Sequence, residues 1–347
     1  MSKPKILIVG CGAVGLTQGY LLSFGADITY LVRRGRTPAF QPPKKLYDYK
    51  ENVLRVFENY RVIESTNEVL GERFYCVFDT LDGHIAHSEN GTATLRAVGE
   101  LIRGHPTTFV VYDAIGLDME DHYASTMGIS KERFTLAGSI LAHQPTKMIP
   151  LPASADANLA DQADILYSYI RGNYGLIVFN LRPKLTKALK VVYNKHEKLR
   201  IHVVPGFIGS SGTLLGTLQL VSWGMDDFQP FDHFRKNKEI WGLMLEAQSE
   251  ILNLPRFGWT GWFLSLLIGS WATEKMIIGP VESALPLHYH DFNAFHHGKK
   301  VIKQDIRVLE DLVAEGEKVG HKMIALRKVC RQATSVTVPG SIGPTSG

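Results

Sequence analysis

Lys5-Ile-Leu-Ile-Val-Gly-Cys-Gly-Ala-Val-Gly15 is the stretch on which the reading of this chain turns. Ile6 to Val9 form an uninterrupted apolar run, as a strand buried on both faces requires. The run enters Gly10, Gly12 and Gly15 at the G-x-G-x-x-G spacing. A helical pattern then opens with Leu16, Tyr20 and Phe24 on one face, and Gly25 closes it. A second strand, Ile28 to Val32, follows and ends in Arg33-Arg34.

A strand, a glycine turn, a helix and a second strand in this order make a dinucleotide-binding βαβ unit. Gly10 permits the tight turn, Gly12 leaves the backbone open to a pyrophosphate, and Gly15 lets helix and strand pack closely. Cys11, Ala13 and Val14 complete the loop. Free N–H groups and the positive end of the helix dipole then favour the anion. The end of the second strand selects the cofactor. A carboxylate there would accept from the ribose 2′-OH of NAD, whereas Arg33 and Arg34, with Arg36 beyond, suit a 2′-phosphate. The expectation is NADP(H).

The 347 residues are enough for two domains. With 45% apolar residues, 21% charged residues and a net charge of +4, the composition is that of a soluble protein. No Lys/Arg run is long enough for a nucleic-acid face. Cys11, Cys76 and Cys330 lack paired or metal-ligand spacing and read as buried thiols in a reducing compartment. The first strand starts at Lys5, which leaves no room for a signal peptide. The expectation is a cytoplasmic protein with a small-molecule substrate.

Further strands are expected at Phe74–Phe78, Phe109–Tyr112, Phe134–Ala142 and Leu176–Phe179. Helices are expected at Thr92–Arg103, Met119–Met127 and Gln162–Arg171, with Pro38–Lys50 as a loop. This alternation gives an α/β, Rossmann-type, doubly wound parallel sheet over residues 1–182. From 183 to 332 the pattern turns helical, with lysines crowding Lys184–Leu199. Gly206–Gly216 is either a loop or a closely packed small-residue helix. Lys299–Val319 carries the apolar stripe Ile302, Ile306, Leu309 and Val313. An all-helical C-terminal domain follows, with room for a homodimer. Residues 333–347, rich in Pro, Gly, Ser and Thr after Ser335, read as a disordered tail. Phe257–Thr273 has no charge and holds Trp259, Trp262 and Trp271. It is too short and too glycine-broken for a membrane span, and reads as a buried core helix or the wall of an apolar pocket.

In these motifs and this order the chain resembles the ketopantoate reductase family, most closely over Lys5–Gly15 and Ile28–Arg36. A looser match runs from Phe295-His-His-Gly298 through Gly320-His-Lys-Met323. The resemblance implies hydride delivery from NADPH to a 2-oxo acid. It also implies a lysine at the start of the second domain that protonates the developing alkoxide, an asparagine four residues on, and a C-terminal glutamate that orients substrate. The Lys-x-x-x-Asn that fits is Lys190-Val-Val-Tyr-Asn194, although a solvated lysine-rich face is the alternative. Phe292, beside Asp291, stands where the glutamate is expected. Thr80-Leu-Asp82 and Asp113-Ala-Ile-Gly116 replace the family's lysine and Gln-Asn-Gly, so Thr80 and Asp113 inherit the cofactor-facing positions.

The departures fall on the chemistry and leave the cofactor motif intact. A substrate larger and more apolar than ketopantoate, with a carbonyl or imine to reduce, is one expectation, motivated by the aromatic content of 257–295. A non-redox protein on the same fold is the other. His288-Tyr-His290-Asp291 and His296-His297 match no zinc template. His290 is the candidate proton donor among them. Gly209-Ser-Ser-Gly212 does not form a nucleophile elbow.

Overall fold

The structure, a computed structural model, describes residues 3–170 and 172–337, without the side chains at 207, 210 and 335–337. Twelve strands form among them. They are β1 (Lys5–Val9), β2 (Asp27–Leu31), β3 (Lys44–Asp48), β4 (Val53–Phe57), β5 (Tyr60–Ile63) and β6 (Cys76–Asp79), then β7 (Phe109–Tyr112), β8 (Phe134–Gly138), β9 (Leu141–His143), β10 (Ile165–Ser168), β11 (Tyr174–Asn180) and β12 (Arg200–Pro205).

Eight of them make one sheet in the order β12-β11-β8-β7-β6-β1-β2-β5. Every pairing is parallel except β11 against β8. In β1, Ile6 and Ile8 enter one apolar cluster, while Leu7 and Val9 enter another on the opposite face. That two-sided burial explains the uninterrupted apolar run. The expected α/β class and helical C-terminal region are both present.

Two local expectations are corrected. Gln162–Arg171 is not a helix, because Ile165–Ser168 is a strand. Its apolar run is too short for periodicity to separate the two states, and pairing with β3 and β9 decides the outcome. Pro38–Lys50 is not simply a loop: it holds the helical turn Thr37–Phe40 and β3. With β4, these strands build a second sheet, β4-β3-β10-β9.

The chain forms two compact units. The first comprises 1–114, 118–210 and 282–288, and the second 115–117, 211–281 and 289–347. The boundary lies near 210 rather than 182, because helix Pro183–Tyr193 and β12 complete the first unit's sheet. Segment 282–288 returns to this unit, where Ser168 Oγ donates to Ala284 O (2.9 Å). The second unit is helical around Leu218, Trp223, Phe234, Met244, Leu309 and Leu326. Gly206–Gly224 is a helix, which resolves that alternative. The helix Ile324–Thr337 extends past 333, and 338–347 of the expected tail lie outside the described residues. All three cysteines are buried free thiols.

Phe257–Thr273 departs most from expectation. Only Gly261 is buried within helix Gly258–Leu267. Trp259, Trp262, Phe263, Leu266 and Leu267 are 77%, 56%, 47%, 65% and 59% exposed, and Trp271 is 72% exposed. The first five follow i, i+3, i+4, i+7, i+8, so the stripe is a true helical face turned to solvent. The other side packs inward, with Gly261 so close to Leu252 that an added Cβ would stand 2.3 Å from its carbonyl oxygen.

Candidate functional site: a dinucleotide cradle

β1 lies between β6 and β2, where strand order reverses, and its carboxyl end opens into the glycine turn. Gly10 adopts φ +94° and donates its N–H to Leu31 O at 3.0 Å. Helix Ala13–Ser23 begins after Gly12, and its first bond runs from Leu16 N–H to Gly12 O (2.8 Å). The N–H groups of Ala13, Val14 and Gly15 precede that bond and are available to an anion.

The three glycines divide the work. A Cβ on Gly15 would stand 2.3 Å from Gly10 O, and one on Gly10 would stand 2.7 Å from Thr80 Oγ1. Both are needed for internal packing. A Cβ on exposed Gly12 would meet nothing within 4 Å. Open space above a helix N-terminus is what a pyrophosphate requires, so the residues fit a dinucleotide. Thr80 braces the turn by donating Oγ1–H to Val9 O (2.8 Å). Cys11 is buried, which pushes its thiol up to about 12 and leaves it unreactive.

Arg33, Arg34 and Arg36 stand exposed on the turn after β2. The turn closes through Arg36 N–H to Arg33 O (3.1 Å), with Gly35 at φ +77°. Glu64, just beyond β5, holds it by accepting from Thr37 N–H at 2.9 Å. The N–H groups of Gly35, Thr37 and Arg36 and the Thr37 hydroxyl pull this carboxyl down to about 2. Arg33 and Arg34 make no ion pair among the described residues, so both cations are free for a phosphate. Sequence reasoning missed Glu64, whose role depends on β5 lying beside β2.

On the other side of β1, β6 ends at Asp79, opposite Tyr112 of β7, and Asp113 follows Tyr112. Asp79 is 1% exposed. Its Oδ2 accepts from the Tyr123 hydroxyl, while its Oδ1 has no hydrogen-bond partner. Asp113 is partly buried one step beyond β7. Burial pushes Asp79 up to about 7, with Tyr123 and Leu81 N–H opposing the shift and Asp113 and Asp82 adding to it. Burial also pushes Asp113 up to about 7, against the hydroxyl and N–H of Ser139. Asp79 and Tyr123 carried no functional signal in the sequence, since only the packing of helix Met119–Met127 beside β6 brings them together.

Lys190 and Asn194 belong to the first unit, at the end of helix Pro183–Tyr193, and not to the start of the helical unit. Asn194 Oδ1 accepts from Ile201 N–H (2.9 Å), which ties it to β12. The helix at the unit boundary, Gly206–Gly224, has no lysine. His290 lies 3.6 Å from Asp291 in the second unit. Also in that unit, His297 Nδ1 is 2.7 Å from Oδ2 of fully buried Asp305. Phe292, at the expected glutamate position, is buried and stacks on His296.

No protein-family model and no curated protein matches this sequence. Solved structures do match in fold along nearly the whole chain. The 2-dehydropantoate 2-reductase of Geobacter metallireducens GS-15 superposes with a TM-score of 0.63 at 16% identity, over 96% of this chain and 100% of that one. The probable 2-dehydropantoate 2-reductase of Bacillus subtilis gives 0.62 at 14%, over 96% and 99%. A D-mandelate dehydrogenase, solved with NADH and anilino(oxo)acetate, gives 0.65 at 11%, over 96% and 98%. At such identities the likeness is one of fold.

Proposed function

We propose, from the premise that this chain has the ketopantoate reductase fold, that it is a nicotinamide-dependent reductase preferring NADPH. Its substrate would be a carbonyl or imine compound other than ketopantoate. The observation that carries this reading is Gly12, exposed above a helix N-terminus with nothing where its side chain would be. The N–H groups of Ala13 to Gly15 would hold the pyrophosphate, and Arg33 and Arg34 the 2′-phosphate. The nicotinamide half would then extend over the carboxyl ends of β6 and β7, near Thr80 and Asp113. The bound cofactor would supply hydride.

A substrate other than ketopantoate is supported by the helix Gly206–Gly224, which has no lysine where the family's is expected. The same feature favours the second reading, a non-redox protein on this fold. The tryptophans that motivated a bulky apolar substrate are exposed on the helical unit. The test is NADPH oxidation in the presence of 2-oxo acids, aldehydes and cyclic imines, supplied singly. Consumption with at least one compound, well above the rate without substrate, is the expected result. Binding of NADPH without oxidation by any of them would favour the non-redox reading.

Three buried free thiols suit a reducing compartment such as the cytosol. No helix among the described residues is long and apolar enough to cross a membrane. The uncharged stripe on Gly258–Leu267, with Trp271, suits a second copy of this chain. Its six side chains offer an area on the order of the ~800 Å² that one partner buries in a standard interface. A two-fold contact between such faces brings no like charges together. Trp262→Glu with Leu266→Glu is expected to convert a dimer into a monomer in sedimentation velocity, with the helical content unchanged and the concentration dependence of the melting temperature lost. A monomeric native protein would contradict the proposal, and its flotation with lipid vesicles would assign the stripe to a membrane surface.

A further inference from the structure

We propose that Glu64 determines cofactor specificity as a positioning residue, fixing the turn after β2 so that Arg33 and Arg34 can grip the 2′-phosphate of NADPH together. The inference rests on the dinucleotide reading above. Residues 33 to 36 are all exposed, so their own packing cannot place them, and their position depends on what holds the two ends. Before the turn, Val32 N–H donates to Ile63 O at 2.9 Å. After it, Thr37 N–H donates to Glu64 Oε1 at 2.9 Å. Ile63 ends β5 and Glu64 follows it, so one edge strand brackets the loop that carries the arginines. The first bond is backbone to backbone and survives any side-chain change. The second is the Glu64 carboxylate alone.

The anchor is itself tied down. Glu64 N–H and Ser65 N–H donate to Glu68 Oε1 at 2.8 and 3.0 Å. Ser65 Oγ accepts from Asn67 N–H at 3.2 Å, which completes a capping box on the helical turn Thr66–Val69. Val69 fastens that turn to the core. From the same strand, the Tyr60 hydroxyl donates to Phe40 O at 2.9 Å. The helical turn Thr37–Phe40 is thus held at both ends from β5. Arg36 lies over the Phe40 ring at 5.6 Å, which leaves Arg33 and Arg34 as the phosphate readers. Although guanidinium groups stand close by in sequence, Glu64 makes no ion pair among the described residues and accepts from backbone instead. The turn's N–H groups, that of Gly35 foremost, pull its carboxyl down, so it stays ionised across the neutral range.

Two guanidinium forks hold one phosphate well only when their backbone is already in place. A loop untied at one end must be ordered when the nucleotide binds, and that cost comes out of the affinity. NADH lacks the 2′-phosphate and is held by the glycine turn, so the cost falls on NADPH. The charge of Glu64 acts in the opposite direction, because a carboxylate repels a phosphate. Between exposed groups in salt that repulsion is weak. Glutamine keeps an acceptor oxygen and removes the charge, so it separates positioning from repulsion.

The test is calorimetric titration of the native protein, Glu64→Ala and Glu64→Gln with NADPH and NADH, alongside thermal melts. Glu64→Ala is expected to weaken NADPH binding about tenfold and to leave NADH within about threefold of native, so that Kd(NADH)/Kd(NADPH) falls about tenfold. Glu64→Gln should bring the ratio back to within about threefold of native. A native ratio in Glu64→Ala overturns the proposal, and so does an equal loss of both nucleotides, which a merely structural role would give. Tighter NADPH binding in both variants also overturns it, since only the charge of Glu64 would then be felt. In each of these outcomes the cofactor reading stands. If the native protein binds neither nucleotide, or both alike, the NADPH reading fails and this proposal with it. Should Glu64→Ala not fold, Glu68→Ala, which releases the anchor, decides: a fall in the ratio of about threefold or more supports the proposal, and an unchanged ratio overturns it.

Discussion

Gly12→Val is expected to abolish nucleotide binding while leaving the melting temperature at the native value. Gly12 has ordinary backbone angles, φ −80° and ψ −167°, and its Cβ would project into space free of protein atoms to 4 Å. Valine therefore costs the fold little. It places three carbons where the pyrophosphate must approach the N–H groups of Ala13 to Gly15. Losing those charge-assisted bonds should cost about 3–4 kcal/mol, or several hundredfold in affinity. Gly15→Val should behave in the opposite way. Its Cβ would lie 2.3 Å from Gly10 O, a backbone atom that cannot step aside. The helix must then leave the strand, at a cost of about 1–3 kcal/mol or more and a fall of several degrees in melting temperature. Calorimetric titration paired with thermal melts separates the two. Equal loss of stability in both variants would show that Gly12 is packing rather than site.

The second large effect belongs to Arg33 and Arg34. Their double replacement by alanine is expected to weaken NADPH binding by about two to three orders of magnitude. NADH affinity should stay within about threefold of native, since NADH lacks the 2′-phosphate. Both side chains are exposed and make no ion pair among the described residues, so their removal should not disturb the fold. Raised salt should weaken NADPH binding to the native protein more than to the variant. A parallel loss of both nucleotides would mean that the arginines support the turn and do not read the phosphate.

The cradle was legible because each of its requirements is local. Ile6–Val9, the glycine spacing and the arginines after the second strand all lie within one βαβ unit, and the structure keeps them there. Phe109–Tyr112 and Met119–Met127 were read to the residue for the same reason. What escaped depends on partners distant in sequence. β10 resembles a short helix until β3 and β9 flank it. Glu64 is an ordinary surface acid until β5 sets it against the arginine turn. Asp79 gains its hydrogen-bond partner only when Tyr123 of helix Met119–Met127 arrives beside it. The stripe Trp259, Trp262, Phe263, Leu266 and Leu267 was misread for a different reason. Periodicity shows that a face is apolar, but it does not say whether that face meets the core or the solvent.

The central claim is the dinucleotide site, and calorimetric titration of the native protein with NADPH and NADH tests it most directly. The account predicts saturable binding of NADPH at one site per chain, with NADH at least about a hundredfold weaker. No heat of binding with either nucleotide would contradict it.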